Sequence, residues 1–194
     1  MFKDRRTAMV GTLVLALFLL SLTLTNPGKV LALDAFLKID GVEGESRDNK
    51  HKNEIDVISW SFGESLPAAT SRSAGGARSA ERANFQDFKF TMRTNKASPK
   101  LFLACASGEH LKSVLLTVRK ADKNQSEFLQ IWLQEVMVSS FISLGTSGGT
   151  DTYPMEEIML NFAKIKITYK PTKADGSLDT GVTGGWDLTS NKPQ

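Results

Sequence analysis

The order of apolar and polar residues along this chain is mostly that of β-strands. Apolar side chains alternate with polar ones in residues 58–62, 88–92 and 114–118. This period of two is the pattern of a strand with one buried face. We therefore expect Ile58, Trp60 and Phe62 to face the core, with Trp60 fully inside it.

Two longer runs, residues 127–144 and 158–169, are rich in apolar residues whose parity changes partway. In the second run the change falls at Ala163 and Lys164, between Phe162 and Ile165. Such a change suggests a bulge that passes the strand from one face to another. Long bent strands of this kind are typical of a barrel or of two packed antiparallel sheets. The expected fold is mostly β, with one short α-helix on the side.

That helix is predicted over residues 98–108. Ser98 is the expected N-cap, Pro99 fits the first helical position, and Gly108 can take the left-handed conformation that ends a helix. Leu101 and Cys105 fall at helical spacing on the face expected to be buried. Cys105 is the single cysteine, so an internal disulfide is excluded, and the thiol is either buried or paired between chains. Its place on the helix favours burial.

Two segments read as exposed loops. Residues 66–83 (LPAATSRSAGGARSAERA) are rich in small residues and carry Arg72, Arg78 and Arg82. The segment has too little apolar content to pack on its own, and a long loop in a compact domain is often functional. Residues 171–185 form a polar, glycine-rich approach to the tail, where Trp186 and Leu188 could dock.

Residues 1–32 have the three parts of an export signal: a basic start, an apolar run over residues 8–24, and small or apolar residues at 30–32 after Pro27-Gly28. We expect cleavage before Leu33, which leaves residues 33–194 as one domain. The alternatives are an uncleaved membrane anchor, because the run is near the shortest that can span a bilayer, or a start site upstream of the true one.

The export segment also accounts for the positive charge of the chain. It holds four of the 24 Lys and Arg residues and one of the 21 Asp and Glu residues, so residues 33–194 carry 20 of each. A neutral domain lacks the basic footprint of a nucleic-acid binder. After removal of the signal, we also expect no association with a membrane.

Catalytic chemistry is not expected. Residues 145–149 (GTSGG) match the serine nucleophile elbow, which needs a strand-to-helix turn and a later histidine, but no histidine follows His110. Residues 179–181 (DTG) match the aspartic protease triplet but lie too near the end of the chain. His51 and His110 have no second ligand at metal spacing, so both are expected in loops, and residues 48–54 read as a solvated charged turn. We predict no catalytic, cofactor-binding or metal-binding residue.

Several segments resemble one known family in order and spacing. They are residues 36–65 (FLKIDGVEGESRDNKHKNEIDVISWSFGES), 105–111 (CASGEHL), 115–121 (LLTVRKA), 135–141 (EVMVSSF), 145–171 (GTSGGTDTYPMEEIMLNFAKIKITYKP) and 181–192 (GVTGGWDLTSNK). Together they resemble the Hcp tube proteins of type VI secretion systems, over essentially residues 34–192.

The resemblance implies a structural protein that forms hexameric rings, and these rings stack into a hollow tube. It further implies effector cargo in the lumen, contacts with tip and sheath proteins, and release of the tube itself. The long loop at 66–83 would reach toward the next ring. An export signal is unusual for this family, whose tubes assemble in the cytoplasm. The alternatives are therefore a free-standing tube or ring in the periplasm or outside the cell, and a non-enzymatic β-barrel binding module.

Overall fold

The computed structural model describes residues 33–67, 82–121, 124–145 and 153–194, and within these ranges the chain forms ten strands and one helix. The strands are β1 (Leu33–Ile39), β2 (Ile55–Ser61), β3 (Glu64–Ser65), β4 (Asn84–Phe85), β5 (Phe88–Arg93), β6 (His110–Lys120), β7 (Glu127–Leu144), β8 (Met155–Tyr169), β9 (Val182–Asp187) and β10 (Lys192–Pro193). The helix, α1, spans Ser98–Ser107.

Six of these strands close into an antiparallel barrel. They pair in the order β8, β5, β2, β1, β6 and β7, and β7 pairs in turn with β8. The first half of β8 pairs with β5 and its second half pairs with β9, which carries β10 at its outer edge. The mostly β architecture with one side helix is confirmed, and a barrel rather than two separate packed sheets is formed.

The alternation in β5 and β6 produces the expected core. Phe88, Phe90 and Met92 have no exposed surface, and Val114, Leu116 and Val118 are buried on the same interior face of the barrel. Each fully buried side chain of this size stabilises the fold by roughly 1.5–3 kcal/mol. All of β5 and residues 114–118 of β6 place their apolar side chains inward with a period of two, so the sequence pattern locates these inner faces correctly. Leu111, earlier in β6, is also buried but has the opposite parity.

The parity changes in β7 and β8 occur together. In the pairing of β7 with β8, Ala163 lies opposite Glu135, which has a positive φ of 50°. The two strands pair in the same register before and after this position. The expected change at 163–164 is therefore confirmed, but it is a bend shared by two strands. A separate register shift follows in β7 between Val138 and Ser140. These irregularities allow strands of 18 and 15 residues to wrap around a barrel.

The prediction for β2 is wrong in part. Ile58 is 50% exposed, and Trp60 is only half-buried although it packs against the core. The cause is a register shift between Val57 and Ser59 in the pairing with β5. Ile55 and Val57 face inward before the shift, Trp60 does so after it, and Ile58 is the residue turned outward.

The N-cap of helix α1 lies one residue before the predicted one. Ala97 is the N-cap, and Ser98 is the first helical residue. The Ser98 hydroxyl donates to the buried carboxylate of Glu156 at 2.6 Å, so it ties the helix start to β8 instead of capping it. Gly108 ends the helix in the left-handed conformation, with a φ of 70°, as predicted. Cys105 is half-buried and packs against the core, as its place on the helix predicts.

The loop and tail predictions have different outcomes. Of residues 66–83, the stretch 68–81 lies outside the described residues; at its ends, Leu66 and Pro67 are exposed. Trp186 and Leu188 pack against the core, which confirms the docking of the tail. Within the described part of the chain, no helix combines the length and apolar character needed to cross a membrane.

Candidate functional site

A buried ionic cluster joins β1, β6 and the segment between β1 and β2. Arg119 of β6 is 5% exposed, and its Nε donates to Asp34 Oδ2 at 3.1 Å while its Nη2 donates to Asp48 Oδ2 at 2.6 Å. The guanidinium carbon also lies 4.7 Å from the centre of the Phe36 ring. A buried arginine needs such partners, because an unpaired charge in the interior is strongly destabilising. Arg119 therefore fixes the segment that carries Asp48 against the barrel wall.

That segment, residues 40–54, folds back on itself and is held there by hydrogen bonds between its own backbone groups. The Gly44 amide donates to the Asn53 carbonyl, the Asn53 amide donates to the Ser46 carbonyl, and the Ser46 amide donates to the Glu54 carbonyl. A Cβ added at Gly44 would overlap with the Glu54 carbonyl, so glycine is required there. Asp48 Oδ1 accepts the amide hydrogens of Lys50 and His51. The prediction that residues 48–54 are a solvated turn is wrong for Asp48, His51 and Glu54.

The arginine sets the charge state of this cluster. The hydrogen bond from Arg119 lowers the pKa of Asp48 to about 2, against the opposing effect of burial. Burial acts to lower the pKa of Arg119, but its bonds to Asp48 and Asp34 outweigh it, and the pKa is raised. Both groups are thus ionised at neutral pH. The cluster is a permanent ion pair whose evident role is structural.

His51 belongs to the same cluster, whereas His110 does not. The His51 ring is buried and stacks on Phe36 with 4.3 Å between ring centres. Its Nδ1 lies 2.9 Å from Glu54 Oε2. His110 is exposed at the start of β6. The prediction that both histidines lie in loops is wrong for His110, which begins β6, and it misses the burial of His51.

An apolar cleft of about 920 Å³ opens beside the root of the 66–83 loop. Its walls come from the ladder formed by β3 and β4 and from the second half of β8 with β9. The large apolar residues in its lining are Phe62, Leu66, Phe85, Ile165, Ile167 and Trp186. The polar groups expected of a catalytic pocket are few in this lining, so the cleft is suited to packing.

Other large apolar side chains face outward. On α1, Phe102 and Leu103 are 55% and 60% exposed, and Phe102 packs edge-to-face on Phe141. At the end of β7, Leu144 is likewise exposed. Trp132 of β7 is 38% exposed and lies on the outer surface, with Lys166 Nζ 4.4 Å from the centre of its ring. Apolar groups of this size on a surface mark interaction sites when they cluster.

In the DTG motif at residues 179–181, the described contacts of Asp179 are made with nearby residues of the same exposed segment. Asp179 is exposed, and its carboxylate accepts the Thr180 amide hydrogen and lies 3.6 Å from Lys173 Nζ. Residues 146–149 of the GTSGG motif lie outside the described ranges. The described residues hold no group of three or more His, Cys, Asp or Glu side chains arranged for a metal ion.

Of the three loop arginines, Arg82 lies within the described residues. Its Nη2 donates to the carbonyl oxygens of Leu188 and Thr189, each at 3.0 Å. Arg82 therefore joins the root of the loop to the turn between β9 and β10. Arg72 and Arg78 fall outside the described residues.

Comparisons with known proteins agree on one family. The family model described as "Type VI secretion system effector, Hcp" matches residues 36–169. Protein hcp1 of Pseudomonas aeruginosa is 46% identical over 163 residues, which cover 83% of this chain and 98% of the relative.

Solved structures give the same result. The crystal structure of Hcp1 from Salmonella typhimurium superposes with a TM-score of 0.69 at 32% identity, covering 84% of this chain and 100% of that one. A structure titled as a type six secretion system protein superposes with a TM-score of 0.78 at 27% identity, with the same coverage of both chains. The type VI secretion system effector from Yersinia pestis has a TM-score of 0.63 at 32% identity, covering 79% of this chain and 99% of the other.

Proposed function

Because this chain belongs to the Hcp family of type VI secretion and functions as an Hcp-like tube subunit, we propose that it assembles into hexameric rings that stack into a hollow tube. Family members form homo-oligomeric rings and tubes. The number six comes from the resemblance of this sequence to the family. Effector proteins in the lumen and secretion tip or sheath proteins at the tube surface are the partners proposed with it.

The observation that best supports assembly is the set of large apolar side chains on the outer surface of a barrel that is already closed. Leu103 and Leu144 are each more than half exposed, although the interior holds a complete core of its own. Burying such groups between subunits gains roughly 25 cal/mol for each Å² of apolar surface. We therefore assign the outer face of α1 to the contact between neighbouring subunits of a ring.

The assignment is tested with Leu103→Glu, which places a charge on the outer face of α1 without touching its buried side. Light scattering should report a ring for the unaltered protein and a smaller species for the variant, with an unchanged circular dichroism spectrum. Lys112→Glu is the control, because Lys112 is also exposed but belongs to β6 instead of the helix. A stable monomer of the unaltered protein at micromolar concentration would refute ring formation. An intact ring in Leu103→Glu would refute the role of α1.

Stacking of rings is proposed to depend on the long loop at 66–83. The described ends of the loop support this, because they are anchored: β3 pairs with β4 at its base, and Arg82 bonds the turn after β9. A loop whose root is fixed can present its tip in a defined direction. Arg72 and Arg78 would then contact acidic groups of the next ring, an attraction that salt weakens.

We also propose that residues 1–32 are an export signal cleaved before Leu33. The basic start and the apolar run at 8–24 support this. The matched family region begins at residue 36.

A further inference from the structure

The apolar cleft beside the root of the 66–83 loop has the composition of a binding surface for another protein chain. Three aromatic residues, Phe62, Phe85 and Trp186, belong to its lining, and Glu64 is the one charged residue among the described residues that line it. The centre of a protein interface is likewise rich in aromatic groups and poor in charge. The cleft is therefore suited to receive apolar side chains.

Gly184 of β9 leaves the cleft open on one side. A Cβ added to this glycine would meet no atom within 4 Å. Gly184 lies opposite Ile167 in the pairing of β8 with β9, and Ile167 also lines the cleft. Residues that lie opposite each other in an antiparallel pair share a face of the sheet, so a side chain at position 184 would project into the cleft. A substitution at this position can block the cleft with little effect on the subunit itself.

The outer face of α1 has the complementary composition. Phe102 and Leu103 are both more than half exposed. Lys100, whose Nζ donates to the Gly41 carbonyl, is exposed and is the one charged residue of the helix. The helix thus presents two large apolar side chains and one positive charge, whereas the cleft presents an apolar lining and one negative charge.

These two surfaces lie far apart on the subunit. The Ser98 hydroxyl, at the start of α1, donates to Glu156 near the start of β8. Ile165, which lines the cleft, lies roughly 30 Å further along β8 at about 3.3 Å per residue. This separation prevents the helix of one subunit from entering the cleft of the same subunit. A ring needs two such separate surfaces, because each subunit offers a different surface to each of its two neighbours.

We propose that the cleft of one subunit receives Phe102 and Leu103 of the next subunit in the ring. The proposal rests on the ring assembly proposed above and identifies the surface that α1 contacts there. The occupant of the cleft is therefore a second copy of this chain. Lys100 then lies near Glu64 at the rim of the contact, where opposite charges fix the orientation of the two subunits more than they add affinity.

Gly184→Glu tests the cleft. The added carboxylate stays hydrated in a free subunit, but it would be buried without a partner beneath α1, since Lys100 is already paired with Glu64. Light scattering should find single subunits for this variant and a ring for the unaltered protein. The matched control is Thr183→Glu, which adds the same charge to the neighbouring residue of β9. The Thr183 side chain bonds the Thr168 hydroxyl on the opposite face of the sheet, so this variant should keep the ring.

A mixing experiment tests the pairing of the two surfaces. Leu103→Glu has an intact cleft and a blocked helix, whereas Gly184→Glu has an intact helix and a blocked cleft. Each variant alone should have the mass of one subunit. An equimolar mixture can form one intact contact, between the helix of Gly184→Glu and the cleft of Leu103→Glu, and should reach twice that mass without forming rings.

The outcomes separate this contact from ring assembly in general. A monomeric unaltered protein would refute ring assembly and the contact together. An intact ring in Gly184→Glu, or a mixture that keeps the mass of single subunits, would overturn the cleft contact alone. If Gly184→Glu does not fold, exposed Glu64 and Lys100 provide a second test. Glu64→Lys should weaken the ring at low salt and Lys100→Glu should restore it in the double variant; a double variant no better than Glu64→Lys would overturn the pairing.

Discussion

Arg119→Met should destabilise the subunit by about 3 kcal/mol at neutral pH. Removing one partner of a buried ion pair costs roughly 3–5 kcal/mol, because the remaining charge is left unpaired. The lower end applies here, since Asp34 is 38% exposed and can be rehydrated, whereas Asp48 is only 15% exposed. Methionine replaces the apolar stem of the arginine but not its contact with the Phe36 ring, a loss of about 0.5–1 kcal/mol.

The charge of Asp48 determines how this loss of stability depends on pH. Its folded pKa of about 2 lies below its ordinary 3.8, so ionised Asp48 stabilises the fold above pH 4, and that contribution disappears as the pH falls toward 2. The shift corresponds to about 2 kcal/mol, which screening by water reduces to about 1 kcal/mol. The difference in stability between the unaltered protein and Arg119→Met should therefore narrow between pH 4 and pH 2.

Urea unfolding followed by tryptophan fluorescence, at one fixed protein concentration, measures both effects. The control is Lys173→Met, which removes an ion pair to Asp179 whose side chains are 48% and 51% exposed, and which should change stability by less than about 0.5 kcal/mol. A loss below about 1 kcal/mol in Arg119→Met would mean that the cluster does not hold the 40–54 segment. A difference that stays constant down to pH 2 would mean that Asp48 is not the partner that matters.

Four further outcomes are expected. Gly44→Ala should cost about 2 kcal/mol in urea unfolding because its Cβ meets the Glu54 backbone, whereas Gly184→Ala, with nothing within 4 Å, should be close to neutral. Trp60→Ala should cost about 2 kcal/mol, less than the 3–5 kcal/mol of a fully buried aromatic such as Phe88, and an equal loss at both sites would contradict the half-burial of Trp60. Replacing residues 70–81 with a short Gly-Ser turn, while keeping Arg82, should leave single rings in negative-stain images where the unaltered protein forms tubes; broken rings would assign the loop a different role. Mass spectrometry of the exported protein should find Leu33 at its amino terminus, and a retained residue 1–24 segment would make it an anchored protein.

The sequence pattern predicts the barrel well because a period of two in side-chain direction is a local property of a strand. The pattern in β5 and β6 therefore identifies Phe88, Phe90 and Leu116 as interior residues without knowledge of their neighbours. The bend at Ala163 is visible for the same reason, since it reverses the parity within one segment. In β2 the prediction is wrong for Ile58. The register shift there arises in the pairing with β5, and the alternation of apolar and polar residues in the sequence does not reveal it.

The ionic cluster could not be found from the sequence. Arg119 is separated from Asp48 by 71 residues and from Asp34 by 85. In the alternation of β6, Arg119 stands on the polar face and would be expected in water. It is buried because the 40–54 segment folds over that face of the barrel, and the position of this segment depends on Gly44 and on the charges themselves. A polar residue on the outer face of a strand thus says little about its burial when a long connection can cover it.

Closure of the barrel also limits how this subunit can bind its neighbours. A strand with an unpaired edge can recruit another chain through its backbone, but the six barrel strands use both edges for pairing within the subunit over much of their length. Contacts made by the barrel strands are then made through side chains, whereas β10 keeps an unpaired backbone edge. The outer face of α1 offers Leu103, and the loop at 66–83 leaves the barrel from an anchored root. Because these two features lie on different elements, ring formation and stacking should be separable by mutation, and Leu103→Glu should abolish both whereas loss of the loop should abolish stacking alone.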